Sequence, residues 1–391
     1  MEIELWWLLA LPLFFGLGWL AARIDIRHLV RESRSLPRSY FAGLNFLLNE
    51  QPDRAIDSFI EATSKDPQTA ELQFALGNLF RRRGETDRAI QIHQALAARE
   101  DVRPEQRLAA RLELGLDFLK AGLLDRAEEV FISLRGSALD TDALHHLLDI
   151  YQQEKEWLKA IDIARALPET ESHRAQKDTA QFLCELATQA LAQSRLADAR
   201  TQLEEALSTH RKCVRALMLL GDAAAADQKW EEAIEHWQRI EQQNPVYLAL
   251  VAARLADAYR RLGRERQGIT LLKSYLERHA SLDLLDVVFK EELDAEGPSG
   301  ALTLVREELR RNPTLLGLDK LLEAQMQTLP PEARTDSDLM KNIIHAHTRR
   351  VARYRCDSCG FKARQFHWRC PACGGWETYP PKRTEEFDLT P

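Results

Sequence analysis

Four cysteines near the C-terminus are the residues whose spacing most directly indicates chemistry in this chain. They form two pairs of the type Cys-x-x-Cys-Gly: Cys356, Cys359, Cys370 and Cys373. Each pair lets one tight turn aim two sulfur atoms and nearby backbone N–H groups at a single ion, and four thiolates typically make a tetrahedral site. The glycine after each pair, Gly360 or Gly374, can take the positive φ that such a turn needs. The pattern therefore predicts one bound iron or zinc ion, in preference to two disulfides or four unliganded thiols.

The residues around these cysteines predict a small module that depends on its metal. Five aromatic side chains surround the cysteines: Phe361, Phe366, Trp368, Trp376 and Tyr379. Because a module of about 30 residues cannot bury enough apolar surface for an independent core, we expect the metal to supply its folding free energy. Tyr354–Cys356 should form a short strand, and the ten residues between the pairs should form a short hairpin. Some of the aromatic side chains should pack against the rest of the chain.

The segments that precede the module are predicted to be helical and repetitive. Apolar residues recur at three- and four-residue spacings from Tyr40 onward, which is typical of α-helices. A small residue also returns every 33 to 39 residues, close to the tetratricopeptide period. These positions are Ala55, Ala89, Ala127, Ala160, Ala199, Ala233, Gly268 and Ala301. The fold class is therefore predicted to be all-α, a tetratricopeptide superhelix of about eight or nine units whose surface binds peptides or protein faces.

The N-terminus predicts a membrane anchor. Residues 5–22 contain no charged residue and would span about 27 Å as a helix, close to the thickness of a hydrocarbon core. Glu2 and Glu4 precede this run, which disfavours a cleaved signal peptide because that needs a positive start. Five arginines follow it: Arg23, Arg27, Arg31, Arg34 and Arg38. The positive-inside rule therefore predicts a single-pass anchor with the rest of the chain in the cytoplasm.

Composition narrows the class of protein further. The 391 residues are 45% hydrophobic and 29% charged with a net charge of −7, which disfavours non-specific nucleic-acid binding by the whole chain. Only six cysteines occur, so a reducing compartment is expected, with Cys184 and Cys213 as small buried side chains. No phosphate-binding loop, dinucleotide fingerprint or nucleophile elbow is found. We therefore expect no catalytic residues, no organic cofactor and no enzymatic activity.

Basic residues cluster around the cysteines and leave two alternatives open. They are Arg349, Arg350, Arg353, Arg355, Lys362, Arg364 and Arg369. Basic charge interleaved with aromatic rings is also found in zinc ribbons that bind nucleic acid. We favour the alternative in which this basic charge offsets the thiolates and meets an acidic repeat surface, since a membrane-anchored repeat protein is poorly placed to bind nucleic acid. No nucleic-acid partner is therefore expected.

These observations divide the chain into six predicted segments: a transmembrane anchor (1–22), a basic juxtamembrane segment (23–38), the repeats (39–329), a linker and helix (330–350), the metal module (351–382) and a tail (383–391). Within the linker, Asp336-Ser337-Asp338 could cap a helix from about Leu339 to Arg350. Leu315–Gln325 could begin a ninth, incomplete repeat.

The order of anchor, repeats and cysteine pairs resembles the lipopolysaccharide assembly protein B family (LapB, also called YciM) of Gram-negative bacteria. The resemblance covers essentially the whole chain. It implies that Cys356, Cys359, Cys370 and Cys373 are the metal ligands of a rubredoxin-like module. The ten residues between the pairs are fewer than in a free rubredoxin, which disfavours electron transfer and leaves iron and zinc open.

The same resemblance implies a function and a location. The chain would be an adaptor in the inner membrane, with a periplasmic N-terminus and cytoplasmic repeats. It would promote degradation of the deacetylase LpxC by the membrane protease FtsH, limit lipopolysaccharide synthesis and coordinate other lipopolysaccharide assembly proteins. The alternatives are an iron or redox sensor that uses the four cysteines, and a nucleic-acid-binding ribbon. Repeat edges and membrane helices can both self-associate, so a homo-oligomer is compatible with the sequence.

Overall fold

The structure is a computed structural model that describes residues 38–49, 51–65, 69–330, 334–382 and 384–385. Contacts divide the chain into two compact units, residues 1–154 and 155–391. The predicted anchor at residues 5–22 lies outside the described residues. Among the residues that are described, no helix combines the length and the apolar character needed to cross a membrane.

The described part of the first unit consists of helices that pack in consecutive pairs. These are α1 (Arg38–Leu48), α2 (Pro52–Lys65), α3 (Ala70–Arg83), α4 (Thr86–Ala98), α5 (Pro104–Lys120), α6 (Leu124–Ser133) and α7 (Asp140–Glu154). Helix α1 packs on α2, α3 on α4, and α5 on α6. Ala55, Ala89 and Ala127 lie near the start of the second helix of each pair and are fully buried. The predicted small positions are therefore buried where the second helix of each pair begins.

A glycine on the first helix of a pair makes room for a ring on the second. Gly115 lies against Phe131, and an added Cβ atom there would come within 2.6 Å of the ring. Gly77 lies against His93 in the same way, and Gly43 against Phe59. The ring follows the glycine by sixteen residues in each case. The repeat positions predicted from the sequence were the small residues alone, without these rings.

The second unit continues the helix pairs and ends in a small β-module. Its helices are α8 (Trp157–Ala166), α9 (Ser172–Ala192), α10 (Leu196–Thr209), α11 (Val214–Ala226), α12 (Trp230–Gln243), α13 (Leu248–Arg261), α14 (Glu265–Arg278), α15 (Leu282–Arg311), α16 (Leu315–Thr328) and α17 (Arg334–Val351). Its strands are β1 (Ala352–Arg355), β2 (Lys362–Ala363) and β3 (Thr384–Glu385). The prediction of an all-α tetratricopeptide fold with a small C-terminal metal module is confirmed.

Helix α15 is two helices joined at a sharp break. Gly297 has a φ of 73°, which ends the first half, and Pro298 begins the second half. Phe289 on the first half packs in one core with Ala301 and Val305 on the second. The two halves therefore form the helix pair that the repeat position Ala301 predicted.

The segment before the metal module differs from the prediction. Helix α16 packs against α17, so these two helices form a further pair after α15. Helix α17 begins at Arg334 rather than near Leu339, and the Arg334 guanidinium donates to the backbone oxygen of Leu329 at 2.9 Å. Asp338 thus lies inside the helix instead of preceding it as a cap.

Candidate metal centre

The two cysteine pairs form turns with the same backbone hydrogen bonds. In the first turn the Gly360 N–H donates to Cys356 O, and the Cys356 N–H donates to Phe361 O, both at 2.9 Å. In the second turn the Gly374 N–H donates to Cys370 O, and the Cys370 N–H donates to Gly375 O, again at 2.9 Å. The φ angles of Gly360 and Gly374 are 75° and 70°, which confirms the predicted positive φ.

Short strands flank each turn and pair across it, rather than pairing with each other within the segment between the turns. Strand β1 leads into the first turn, as predicted, and pairs antiparallel with β2, so that Tyr354 lies opposite Ala363. Around the second turn, Arg369 and Trp376 form an isolated antiparallel bridge. Each turn is therefore the tip of its own short hairpin, and the prediction of one hairpin within the ten intervening residues was wrong. The reason is that the closing hydrogen bonds connect residues on either side of each cysteine pair.

The four sulfur atoms lie close enough together to share one ion. Cys356 Sγ is 3.8 Å from Cys373 Sγ, and Cys359 Sγ is 3.7 Å from Cys370 Sγ. All four atoms lie within 4.8 Å of one another. A tetrahedral metal–sulfur distance of about 2.3 Å would give sulfur separations of about 3.8 Å, so these residues fit a single ion. The four cysteines form a metal-binding site for one iron or zinc ion, because both metals accept this donor set.

The surroundings of two sulfurs favour the thiolate. Burial opposes ionisation of the Cys356 thiol, but hydrogen bonds with the Thr378 hydroxyl and the N–H groups of its turn outweigh burial and lower the pKa to about 6. At Cys373, the backbone N–H of Gly375 lowers the pKa of the thiol. Backbone dipoles thus prepare this site for the charge that a metal ligand carries.

Cys359 shows why a cation is needed to complete the site. The backbone N–H of Phe361 favours its thiolate, but partial desolvation of the sulfur and the three neighbouring cysteine sulfurs raise the pKa of Cys359 to about 12. Four thiolates this close repel one another, and a divalent or trivalent cation at their centre reverses the sign of that interaction. Both the charge and the spacing of the four sulfur atoms therefore indicate one bound cation.

The module has a small aromatic core next to the metal site. Cys356, Cys370 and Tyr379 are buried together, with Phe366 packed against them. The Tyr379 hydroxyl donates to Tyr354 O at 3.0 Å, which ties the end of the module to β1. Cys359 and Cys373 lie on the exposed side. One half of the metal site thus faces solvent and the other half faces the core.

Aromatic side chains attach this module to the helices of the second unit. Trp376 is 6% exposed and meets the rings of Trp157 and Phe182 edge-on, with centroid distances of 6.3 and 6.1 Å. Trp368 stacks on Tyr247 with a centroid distance of 5.3 Å and an interplanar angle of 8°. The expectation that some aromatic residues of the module pack against the repeats is confirmed.

A buried arginine lies between the two tryptophans. The Arg215 guanidinium carbon is 5.5 Å from the Trp368 ring centre and 5.8 Å from that of Trp376. Arg215 is 6% exposed, and its charge is balanced by Glu185 at 2.8 Å. Such a desolvated cation over two aromatic faces is expected to stabilise the contact by about 1–2 kcal/mol per ring.

Hydrogen bonds and an ion pair also connect the module to the helices and fix its position on them. Gln181 Nε2 donates to Glu377 Oε1 at 2.7 Å, and Lys177 Nζ lies 3.3 Å from Glu377 Oε2. Tyr354 also donates to Asp283 at 3.2 Å. In the Lys177–Glu377 ion pair the module contributes the acidic side chain and the helices the basic one. The charge expected from the sequence, a basic module on an acidic repeat surface, is reversed in this pair.

We call the helix residues beneath Trp368, Trp376 and Glu377 the docking surface. It consists of Trp157, Lys177, Gln181, Phe182, Arg215 and Tyr247. This surface was not predicted from the sequence, because its residues come from three helices and one connecting turn and share no local spacing. The only signal was the number of aromatic residues in a module too small to bury them all.

Comparisons with known proteins agree with both parts of the structure. A family model described as a rubredoxin metal binding domain matches residues 354–381, and a tetratricopeptide repeat model matches residues 42–104 and 184–247. A solved tetratricopeptide repeat protein from Parabacteroides merdae is 17% identical, covers 66% of this chain and 99% of its own, and has a TM-score of 0.32. That likeness is too low to support any argument.

Two curated relatives extend over almost the whole chain, and both are named lipopolysaccharide assembly protein B. The relative from Escherichia coli strain K12 is 35% identical over 389 residues, which are 97% of this chain and 98% of the relative. The relative from Haemophilus influenzae is 32% identical over 399 residues, which are 99% of this chain and 100% of the relative. The repeats, the four-cysteine module and the full-length similarity lead to one conclusion: the chain belongs to the lipopolysaccharide assembly protein B family.

Proposed function

We propose that this chain is a non-enzymatic adaptor that acts in lipopolysaccharide biosynthesis. The observation that carries this proposal is the architecture, in which helix pairs present protein-binding surfaces and a metal-binding module is attached to one of them. Tetratricopeptide surfaces bind peptides and protein faces. The names of the relatives connect such a scaffold with lipopolysaccharide assembly.

The finer proposal is a role in controlled proteolysis at the inner membrane. Residues 5–22 would anchor the chain with its N-terminus in the periplasm and its repeats in the cytoplasm. The repeats would present the deacetylase LpxC to the membrane protease FtsH and contact other lipopolysaccharide assembly proteins. Anchoring raises the effective concentration of the scaffold near a membrane protease without any new contact. The apolar, uncharged character of residues 5–22 supports this role.

The test is the half-life of LpxC in cells whose own copy of this gene is replaced. A chain lacking residues 1–22 should leave LpxC stable, because scaffold and protease no longer share a surface. A second variant, in which an unrelated single-pass anchor of the same orientation replaces these residues, should restore turnover. Normal LpxC turnover with the truncated chain at native abundance would show that the anchor is irrelevant. Failure of both variants would indicate that residues 1–22 make a specific contact.

Partners are identified by cross-linking the chain in membranes before purification. We expect FtsH and LpxC among the captured proteins, and other lipopolysaccharide assembly proteins in smaller amounts. Repeating the capture with a chain that ends before Ala352 shows whether the metal module holds any of them. Absence of both FtsH and LpxC from the intact chain would reject the proteolytic role but leave a scaffold role open.

A second candidate function is sensing of iron or of redox state. The set of four closely spaced sulfurs favours it, because four thiolates accept iron as well as zinc. It predicts a coloured iron protein after native expression, and regulation that follows the oxidation state of the metal. Metal analysis together with a visible absorption spectrum decides the matter, and a colourless zinc protein would exclude iron-based sensing.

A further inference from the structure

We propose that metal binding by the module and packing of the module on the docking surface stabilise each other. Arg215, Lys177 and Tyr247 would then be positioning residues for the metal, although they belong to the repeats. Loss of the metal would uncover the docking surface.

The first support is that one set of aromatic side chains belongs to two cores. Phe366 packs in the module core with Cys356, Cys370 and Tyr379. Phe366 and Trp368 also pack against the repeat core, where Tyr247 is 5% exposed. A conformation that disrupts the module core therefore removes the same ring from the repeat core. Because the module is too small to hold this core alone, metal and docking surface share the work of folding it.

The second support is the short path from the second cysteine turn to the docking surface. Trp376 follows Cys373 by three residues, and Glu377 by four. Glu377 has a φ of 51°, an unfavourable angle for a residue with a side chain, and its N–H donates to Trp368 O at 3.0 Å. The N–H of Asp357, in the first turn, donates to Thr378 O at 2.7 Å. The first cysteine turn is thus hydrogen-bonded to the segment that docks, and the second turn leads directly into it.

Thermodynamic linkage makes this coupling reciprocal. If metal binding favours the docked module by a given factor, the docking contacts must raise metal affinity by that same factor. Removing a docking contact should therefore weaken metal binding even though no ligand has changed. A module that folds on its metal independently of the helices would show no such effect.

The surface that metal loss would uncover is chemically distinctive. It combines the rings of Trp157, Phe182 and Tyr247 with the cations Arg215 and Lys177, all buried or half-buried beneath the module. An aromatic residue followed by a carboxylate, as in Trp376-Glu377, matches this combination. The metal content of the module would thus decide whether these helices present that surface or keep it covered.

The first experiment measures metal affinity by chelator competition in the whole chain. Arg215→Ala removes the cation between Trp368 and Trp376 and should lower the affinity about tenfold, which corresponds to about 1.4 kcal/mol. Arg254→Ala is the matched control, because Arg254 also lies in the second unit but pairs with Asp222 at 3.0 Å. Equal affinities of the wild-type, R215A and R254A chains would overturn the proposal.

A charge exchange guards against misfolding of the arginine variant. Glu377→Lys places a lysine next to Lys177, and the repulsion between the two cations should weaken metal binding. The double variant that also carries Lys177→Glu restores an ion pair and should recover the affinity. A Lys177→Glu change alone should weaken binding by a similar amount. Recovery in the double variant would show that the ion pair itself matters. If each substitution caused a general folding defect, the two losses of affinity would add instead of cancelling. Absence of any loss in both single variants would contradict the coupling.

The second experiment measures side-chain exposure by hydroxyl-radical footprinting of the chain with and without metal. Chelation should raise oxidation of Trp157 and Tyr247 several-fold, because the module leaves them. Trp237, which is 2% exposed and donates to Met218 O, lies in the repeat core and should remain protected. Unchanged protection of Trp157 and Tyr247 in the metal-free chain would overturn the proposal. Oxidation of Trp237 as well would mean that the repeats themselves unfold, which also contradicts it.

Discussion

Two groups of cysteines in this protein have almost the same sulfur separations and opposite chemistry. Cys184 in α9 and Cys213, the residue immediately before α11, form what we call the helical thiol pair, and their sulfur atoms lie 3.8 Å apart. In the module, Cys356 and Cys373 are also 3.8 Å apart. Burial raises the pKa of the Cys184 thiol well above its usual value, whereas that of Cys356 is lowered to about 6. Proximity of sulfur atoms is therefore not what makes a metal site.

The difference lies in what the backbone does around each sulfur. In the module, tight turns leave N–H groups free to point at sulfur, and Gly360 and Gly374 allow the positive φ that this requires. In helix α9 the amide groups around Cys184 are used within the helix, and Thr188 also donates to Cys184 O at 2.7 Å. The Cys184 thiol therefore stays neutral and serves as packing, while a turn supplies partial positive charge to a thiolate.

The largest expected effect is loss of the metal from a ligand variant. Cys356→Ser should abolish metal binding, whose free energy is on the order of 10 kcal/mol for structural sites of this kind. The module should unfold while the repeats stay helical, as shown by metal analysis and by circular dichroism at 222 nm. Hydrogen exchange should locate the loss of structure in residues 354–382.

The matched control for this variant is Cys184→Ala. It removes one sulfur of the helical pair and should keep the full metal content, while global stability falls by about 1 kcal/mol as for a small core truncation. If C184A lost metal as C356S does, the helical pair would be part of the metal site. If C356S retained metal, the assignment of the four ligands would be wrong.

The second prediction compares reactivity of the two groups directly. In reduced chain stripped of metal, iodoacetamide should modify Cys356, Cys359, Cys370 and Cys373. Modification of Cys184 and Cys213 should be at least about 100-fold slower, because a buried thiol reacts only through rare opening. Peptide mass spectrometry gives the six rates, and the urea-unfolded chain, in which all six should react alike, is the control. Equal rates in the folded chain would remove the distinction between the groups.

The comparison also shows which features could be predicted from sequence. The four ligands were predictable because each Cys-x-x-Cys-Gly pair forms its site within one turn, and the alanine positions because helix pairs recur with a fixed period. The docking surface was not predictable, because Trp157, Arg215 and Tyr247 meet only after helices have packed. The start of α17 at Arg334 was missed for a smaller reason, namely that an acidic residue suits both a cap and a first turn.

The third prediction concerns charge on α9, the helix that carries Cys184. Burial raises the pKa of Asp178 to about 6, above its ordinary value of 3.8. The folded chain therefore holds a proton that the unfolded chain has lost, and this group favours folding less as pH rises from about 4 through about 6. Asp178→Asn should remove that dependence and stabilise the chain by up to about 3 kcal/mol at pH 8.

Urea unfolding of both chains at pH 5 and pH 8 provides the measurement. The advantage of D178N should be larger at pH 8 than at pH 5. Asp162→Asn, on the exposed face of α8, controls for the loss of one negative charge. An advantage of D178N that is independent of pH, or a loss of stability at pH 8, would contradict burial as the cause.

The smallest expected effect is the loss of metal affinity when only the backbone of the turn is changed and all four sulfurs remain. An added Cβ atom at Gly360 meets nothing within 4 Å, so the cost of Gly360→Ala comes from its φ of 75° alone. That cost is about 1 kcal/mol and should lower metal affinity about fivefold.

Gly263 has a φ of 68° and equally open space, but it lies in the turn after α13. Gly263→Ala should therefore lower global stability by a similar amount and leave metal affinity unchanged. If both variants weakened metal binding equally, general destabilisation would explain the loss. If G360A bound metal as well as the wild-type chain, positive φ would not be what distinguishes the metal turn from the helical thiol pair.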